Sequence, residues 1–194
     1  MAVFVTVGTT SFDKLIQEIN AEKFHLALSK LGYRKMFIQY GSGTVEPSLS
    51  DSPLEVVAFR YRKKLDPIFS VSTLVISHGG AGTCMEALSP PGRRKLIIVI
   101  NEDLMNNHQE ELASTLYGGR HVFVSRARDL YEFVSTGNQN PFLCQNPFWQ
   151  AREPKVLLGP STTPESVGLV PFHRGNASLL IDFLNHLLGV PCTR

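Results

Sequence analysis

The sequence predicts an α/β fold: a Rossmann-like, doubly wound, mostly parallel sheet of about six strands with helices on both faces. Two observations carry this. Short apolar runs alternate with helical patterns through residues 1–134. The runs are apolar on both faces, as strands sandwiched between two helical layers must be. Length sets the scale, because 194 residues suffice for one well-cored domain and are too few for two ordinary ones.

The elements follow in order. Val3–Val7 is a β-branched and aromatic run that stops at the turn-formers Gly8, Thr9 and Thr10. Phe12, Leu15, Ile16 and Ile19 then recur at helical spacing. Ser11 or Thr10 is placed to cap that helix, and Asp13 lies in its first turn, where the dipole favours negative charge. A second helix over Glu22–Leu31 ends at Gly32, a residue suited to a left-handed C-cap. Further strands are expected at Met36–Tyr40, Glu55–Phe59, Thr73–Ser77, Lys95–Ile100 and His121–Val124. Helices fit between them at about 62–71, 82–88, 106–117 and 126–134.

After Ser135 the composition shifts. Residues 135–175 hold six of the twelve prolines and five charged residues, and read as a Pro-rich insertion or flexible segment. Phe142, Phe148 and Trp149 make it more adhesive than an inert linker. From Asn176, a plausible N-cap, Leu179, Leu180, Phe183, Leu184, Leu187 and Leu188 mark a C-terminal helix over 176–194 that packs on the core or on a partner. The domain plan is thus 1–134, 135–175 and 176–194.

Composition excludes several classes. A net charge of +2 is too small to imply nucleic-acid binding. No apolar run approaches the roughly 20 residues that span a bilayer. The start, Met1 to Gly8, lacks a basic leader region and reads as a buried strand, not a signal peptide. Cys84, Cys144 and Cys192 form no CxxC pair and leave one odd, against a disulfide framework or a zinc site. The expectation is a soluble, cytoplasmic protein without metal or cofactor.

In an open α/β sheet, ligands bind at the carboxyl ends of the strands, and three clusters fall there. The most informative runs from Ser77 through His78, Gly79, Gly80, Ala81 and Gly82 to Thr83. Its glycines let backbone approach a ligand closely. The helix opening near Gly82 presents unpaired N–H groups, a site for a diphosphate, and Thr83 adds a hydroxyl. Glu86, about one turn along, is placed to accept both hydroxyls of a ribose. The plainer alternative is a glycine-rich turn followed by a surface glutamate. His78 is either a donor to phosphate or a satisfied histidine at a strand end. Neither GxGxxG nor GxxxxGK[ST] occurs, so nicotinamide and P-loop readings lack support.

Gly8, Thr9 and Thr10 form the second cluster, either a common connection or more donors facing the same diphosphate. In the third, Asn107, His108 and Gln109 bring neutral donor–acceptor groups to a helix start, suited to sugar hydroxyls and an acetamido carbonyl. Capping by Asn106 or Asn107 is the alternative there. Arg60, Arg62, Lys63 and Lys64 read as a solvated helix start.

Three stretches resemble one family: Val5 to Asp13 (Val-Thr-Val-Gly-Thr-Thr-Ser-Phe-Asp), Leu74 to Thr83 (Leu-Val-Ile-Ser-His-Gly-Gly-Ala-Gly-Thr) and Val99 to Gln109 (Val-Ile-Asn-Glu-Asp-Leu-Met-Asn-Asn-His-Gln). The family is the catalytic subunit of the eukaryotic UDP-N-acetylglucosamine transferase of the dolichol pathway. It is similar to the donor-binding half of the bacterial enzyme that adds N-acetylglucosamine to lipid II precursor. The match covers about residues 3–134, and Pro171-Phe172 with the stretch after it resembles the family's C-terminal helix.

The resemblance implies the donor half of a GT-B glycosyltransferase that holds UDP-N-acetylglucosamine. A membrane-anchored partner would supply the acceptor half and recruit the complex to the cytosolic face of the endoplasmic reticulum. The reaction implied is inverting transfer onto N-acetylglucosaminyl-diphosphodolichol. Carried over by motif, Gly80, Ala81, Gly82 and Thr83 would hold the diphosphate, Glu86 the ribose, and Gln109 with Asn107 or His108 the sugar. Gly8 and Thr9 would line the other side, with uracil near Phe59 and Arg60. Two departures stand out. The link Ser89-Pro-Pro-Gly-Arg-Arg-Lys95 replaces a shorter turn, and 135–175 has little counterpart in the family's short forms.

The chemistry agrees with this. A leaving UDP dianion can be stabilised by helix N-termini and backbone donors, and no Asp-x-Asp pair offers a metal bridge. The acceptor hydroxyl also needs a general base. No residue in 1–134 stands out for it, so the base is expected from the partner, with His78 a leaving-group stabiliser. A non-catalytic nucleotide-sugar-binding or regulatory paralogue keeps the same glycine loop and is the alternative. A different Rossmann-like enzyme, such as a reductase or phosphatase, lacks its expected glycine spacing after the first strand.

Overall fold

Six strands form one sheet: β1 (Ala2–Thr6), β2 (Lys35–Gln39), β3 (Glu55–Phe59), β4 (Ser72–Ser77), β5 (Lys95–Ile100) and β6 (Phe123–Arg126). Every neighbouring pair is parallel, in the order β3-β2-β1-β4-β5-β6. The doubly wound reading is borne out. The computed structural model describes residues 1–47, 52–102, 107–137, 153–173 and 175.

Strand alternation divides the interior. Val3, Val5, Met36, Ile38, Leu74, Ile76, Ile97, Val99 and Phe123 face one layer of helices. That layer holds α1 (Asp13–Asn20), α2 (Glu22–Leu31), α6 (Leu130–Thr136) and α7 (Pro154–Leu158). Phe4, Val75, Leu96, Ile98, Ile100 and Val124 face the other, built from α3 (Asp66–Val71), α4 (Ala81–Ala87) and α5 (Asn107–Gly118). Because both faces are covered, the strand interiors are mostly apolar on both sides, which is the pattern read in the sequence.

Local chemistry explains where boundaries depart from expectation. Phe12 occupies the N-cap of α1 without a side-chain cap, and Thr10 Oγ1 donates to Val7 O at 2.8 Å instead. Asp13, on α1, receives Thr44 N–H, Thr44 Oγ1 and Val45 N–H, which hold its carboxyl below the usual range. Gly32 takes φ +105° and closes α2 as expected. The helix placed at 62–71 begins only at Asp66. Pro67 fits the first turn, but deeper in a helix its ring would clash with the carbonyl of Lys63. The last strand sits two residues later than expected, because His121 N–H is still closing α5 onto Leu116 O.

The reading of 135–175 as a flexible insertion does not hold for residues 153–173. Leu157, Leu158 and Val167 are fully buried, and Leu169 nearly so. Tyr33 Oη donates to Leu158 O at 2.7 Å, 125 residues away. Lys95 Nζ, fully buried, donates to Gly159 O at 2.6 Å, Thr162 O at 2.8 Å and Thr162 Oγ1 at 2.6 Å. Proline content misleads here: Pro154 sits in the first turn of α7, where its missing N–H leaves no bond unmade. Residues 138–152 and the helix expected over 176–194 lie outside the described residues.

Candidate functional site

From β1 the chain winds outward through β2 to β3, and from β4 it winds the opposite way through β5 to β6. Adjacent β1 and β4 are therefore the topological switch point, and their carboxyl ends open a crevice. A cavity of about 400 Å³ lies there. It brings together Gly8, Thr9 and Thr10 after β1 with His78, Gly80, Ala81, Gly82, Thr83 and Glu86 after β4. Gln39, Tyr61, Arg62, Lys63, Leu65 and Asp66 complete the wall. A second cavity, about 330 Å³, lies between α2, α6 and α7 and meets none of the sequence clusters.

The β4–α4 turn is shaped for close approach. The first bond within α4 runs from Cys84 N–H to Gly80 O, so the N–H groups of Ala81, Gly82 and Thr83 have no partner inside the helix. A Cβ on Gly82 would meet nothing within 4 Å, leaving open space where the helix begins. Gly80 is different: a Cβ there would stand 2.6 Å from His78 Nε2. Gly8 has φ +64°, and a Cβ on it would reach His78 Cε1 at 3.0 Å. Both glycines make room for the His78 ring.

His78 is 7% exposed, and its Nδ1 lies 3.4 Å from Thr6 O. A carbonyl only accepts, so this contact favours a proton on Nδ1 and leaves Nε2 as an acceptor in the neutral ring. Burial pushes the pKa down, against the upward pull of Thr6 O. His78 is therefore a buried strand-end histidine on the cavity wall. It gains a second donor only on protonation.

The first cluster contributes shape more than donors. Gly8 N–H donates to Thr6 Oγ1 at 3.0 Å, and Thr6 Oγ1 donates to Gln39 Oε1 at 2.8 Å. Thr10 spends both its N–H and its hydroxyl on Val7 O. Thr9 lines the cavity. Asn107, His108 and Gln109 open α5 after β5, and their side chains lie outside the described residues.

Arg60, placed with Phe59 near a base, is committed elsewhere. Its Nη1 donates to Gly43 O at 3.0 Å, its Nη2 pairs with Glu46 at 3.0 Å, and the guanidinium covers Tyr40. Arg62 and Lys63, read as part of a solvated helix start, are exposed as expected but precede α3, and they line the cavity. Arg62 lies 4.6 Å above the Phe59 ring. Pro67 was the available signal, since it keeps this stretch out of the helix and in the loop that faces the switch point.

With the geometry in view, comparison with known proteins is specific. Residues 2–141 match the glycosyltransferase family 28 C-terminal domain. The UDP-N-acetylglucosamine transferase subunit ALG13 of Homo sapiens is 44% identical over 129 residues, 66% of this chain and 11% of that protein. The subunit of the same name from Yarrowia lipolytica is 36% identical over 138 residues, 69% of each chain. The chain thus spans about a tenth of the human relative's length. In fold it is similar to the NMR solution structure of ALG13 (TM-score 0.52, 23% identity, 75% of this chain and 90% of that one). It is also similar to Acinetobacter baumannii MurG (TM-score 0.54, 18% identity, 69% of this chain and 39% of that one). A match over most of the folded chain, on a sheet whose switch-point crevice gathers the glycine turn, places this protein in the glycosyltransferase family 28 C-terminal domain family.

Proposed function

We propose that this chain is the donor-binding subunit of an N-acetylglucosaminyltransferase, holding UDP-N-acetylglucosamine for transfer to N-acetylglucosaminyl-diphosphodolichol. The observation that carries the reading is the crevice itself, where the α4 turn, the β1 turn and the cationic pair Arg62 and Lys63 surround one cavity. The names of the relatives support the sugar nucleotide.

In this reading the diphosphate lies against Gly80, Ala81, Gly82 and Thr83. Arg62 and Lys63 oppose its charge from the facing loop, adding field where charge grows as UDP leaves. His78, protonated once the anion is beside it, adds a donor from the floor. Glu86 receives the ribose hydroxyls, and Asn107, His108 and Gln109 address the sugar from the start of α5. Inversion requires a base on the far side of the sugar, supplied by an acceptor-binding, membrane-anchored partner at the cytosolic face of the endoplasmic reticulum. No helix among the described residues is long and apolar enough to cross a membrane.

The test is transfer to a dolichol-like acceptor with and without the partner, comparing wild type with Glu86→Ala. The expected result is turnover only with the partner, and a donor KM raised about tenfold by the variant, equivalent to the loss of one charge-assisted hydrogen bond. Equal KM in the two proteins removes Glu86 from the ribose. No transfer by the wild-type pair overturns the enzymatic reading.

A further inference from the structure

Arg94 is a buried cation outside the cavity, on the link before β5. It is 7% exposed. Its Nε donates to Phe69 O at 2.8 Å, in the last turn of α3. Its Nη1 donates to Ala87 O at 3.2 Å, the last residue of α4, and to Ser89 O at 2.6 Å just beyond. The guanidinium lies 5.4 Å from the Phe69 ring centroid. One rigid fork thus joins the carboxyl ends of two short helices, as a second donor to Phe69 O beside Ser72 N–H, at ends where the dipoles favour a cation.

Both helices contribute to the cavity wall. Leu65 and Asp66 at the amino end of α3, and Gly80 through Thr83 with Glu86 on α4, all line it. Helices of six and seven residues have too few internal bonds to hold their own orientation, so outside contacts set it. Glu86 also acts on Arg94 electrostatically, favouring its charged form against burial and the neighbouring Arg93. We propose that Arg94 is a positioning residue for the donor: by tying the carboxyl ends of α3 and α4 together, it fixes the spacing between the loop bearing Arg62 and Lys63 and the turn bearing Gly80 to Thr83. This rests on the reading of the cavity as the UDP-N-acetylglucosamine site.

Loss of the brace widens or tilts the cavity without touching the ligand. Affinity for the whole donor therefore falls while the chain stays folded. A merely structural arginine behaves otherwise: its loss lowers the folded fraction and leaves the affinity of the folded molecules unchanged.

The experiment is an NMR-monitored titration of UDP-N-acetylglucosamine into the full chain, for wild type, Arg94→Met and Arg94→Lys. Native peak intensities report the folded fraction, and shift changes report Kd. The expected result is a Kd raised about tenfold in Arg94→Met and about threefold in Arg94→Lys, whose single ammonium holds the α4 carbonyls but cannot reach Phe69 O as well. If Arg94→Met does not fold, the Lys variant alone decides. Unchanged Kd with reduced intensities, or no change in either, overturns the proposal. If the wild type binds no donor, the functional reading has failed, and amide exchange then tests the brace. Exchange about tenfold faster over residues 84–88, whose N–H groups carry the bonds of α4, in Arg94→Lys than in wild type supports it, and equal exchange overturns it.

Discussion

Lys95 tests whether the segment around Gly159–Thr162 is truly part of the core. The side chain is fully buried, its Nζ is held by two carbonyls and one hydroxyl of that segment, and no carboxylate pairs with it among the described residues. Burial pushes its pKa from the ordinary 10.5 down to about 8. Below about 8 the folded and unfolded states both carry the proton. Between about 8 and 10.5 the unfolded chain keeps a proton that the folded one has lost, so stability rises with pH across that window. At about 1.4 kcal/mol per pH unit, the full rise is roughly 3 kcal/mol.

Lys95→Met keeps the apolar stem and removes the titration. Urea unfolding of both proteins, followed by circular dichroism at several pH values from 7.5 to 10.5, isolates the effect, since all other titrating groups are common to the pair. The wild type should gain roughly 3 kcal/mol on the variant across that range. A difference that stays flat would falsify the buried-ammonium picture and with it the latch on Thr162.

Other predictions follow from single contacts. Replacing Arg62 and Lys63 together by alanine should weaken UDP about tenfold while leaving uridine within about twofold, measured calorimetrically at two salt concentrations; equal losses would move these cations away from the phosphates. Tyr33→Phe leaves Leu158 O without its donor, and should cost about 1–2 kcal/mol in urea unfolding. His25 and His78 are both held below 6.5, chiefly by burial, so stability falls as pH drops below that value and the unfolded chain takes up protons first. NMR titration of the two rings checks this, and a midpoint at or above 6.5 in either contradicts it.

The sheet was legible because its signals are local. Alternating apolar runs and Gly32 report short-range geometry that the tertiary structure does not override. The glycine turn after β4 was legible for the same reason, and its meeting with the β1 turn follows from parallel topology alone. What escaped depends on distant partners. Gly8 and Thr10 look like donors in isolation, yet Thr6 Oγ1 and Val7 O have already claimed them. Arg94 sits in a link that reads as a departure in loop length, and nothing nearby in sequence announces that Phe69 O lies beside it. The tail from Pro154 to Leu169 was hidden by its prolines, since its apolar residues are too sparse to show a period.

That tail changes what counts as the smallest foldable unit. The family match stops at residue 141, whereas among the described residues the acceptors of Tyr33 Oη and Lys95 Nζ all lie after 157. A polypeptide released at the family boundary would carry a bare hydrophobic seam along α2 and α6 and an ammonium with no acceptors. A chain cut at residue 141 should therefore unfold at lower urea than one that runs on through Leu169.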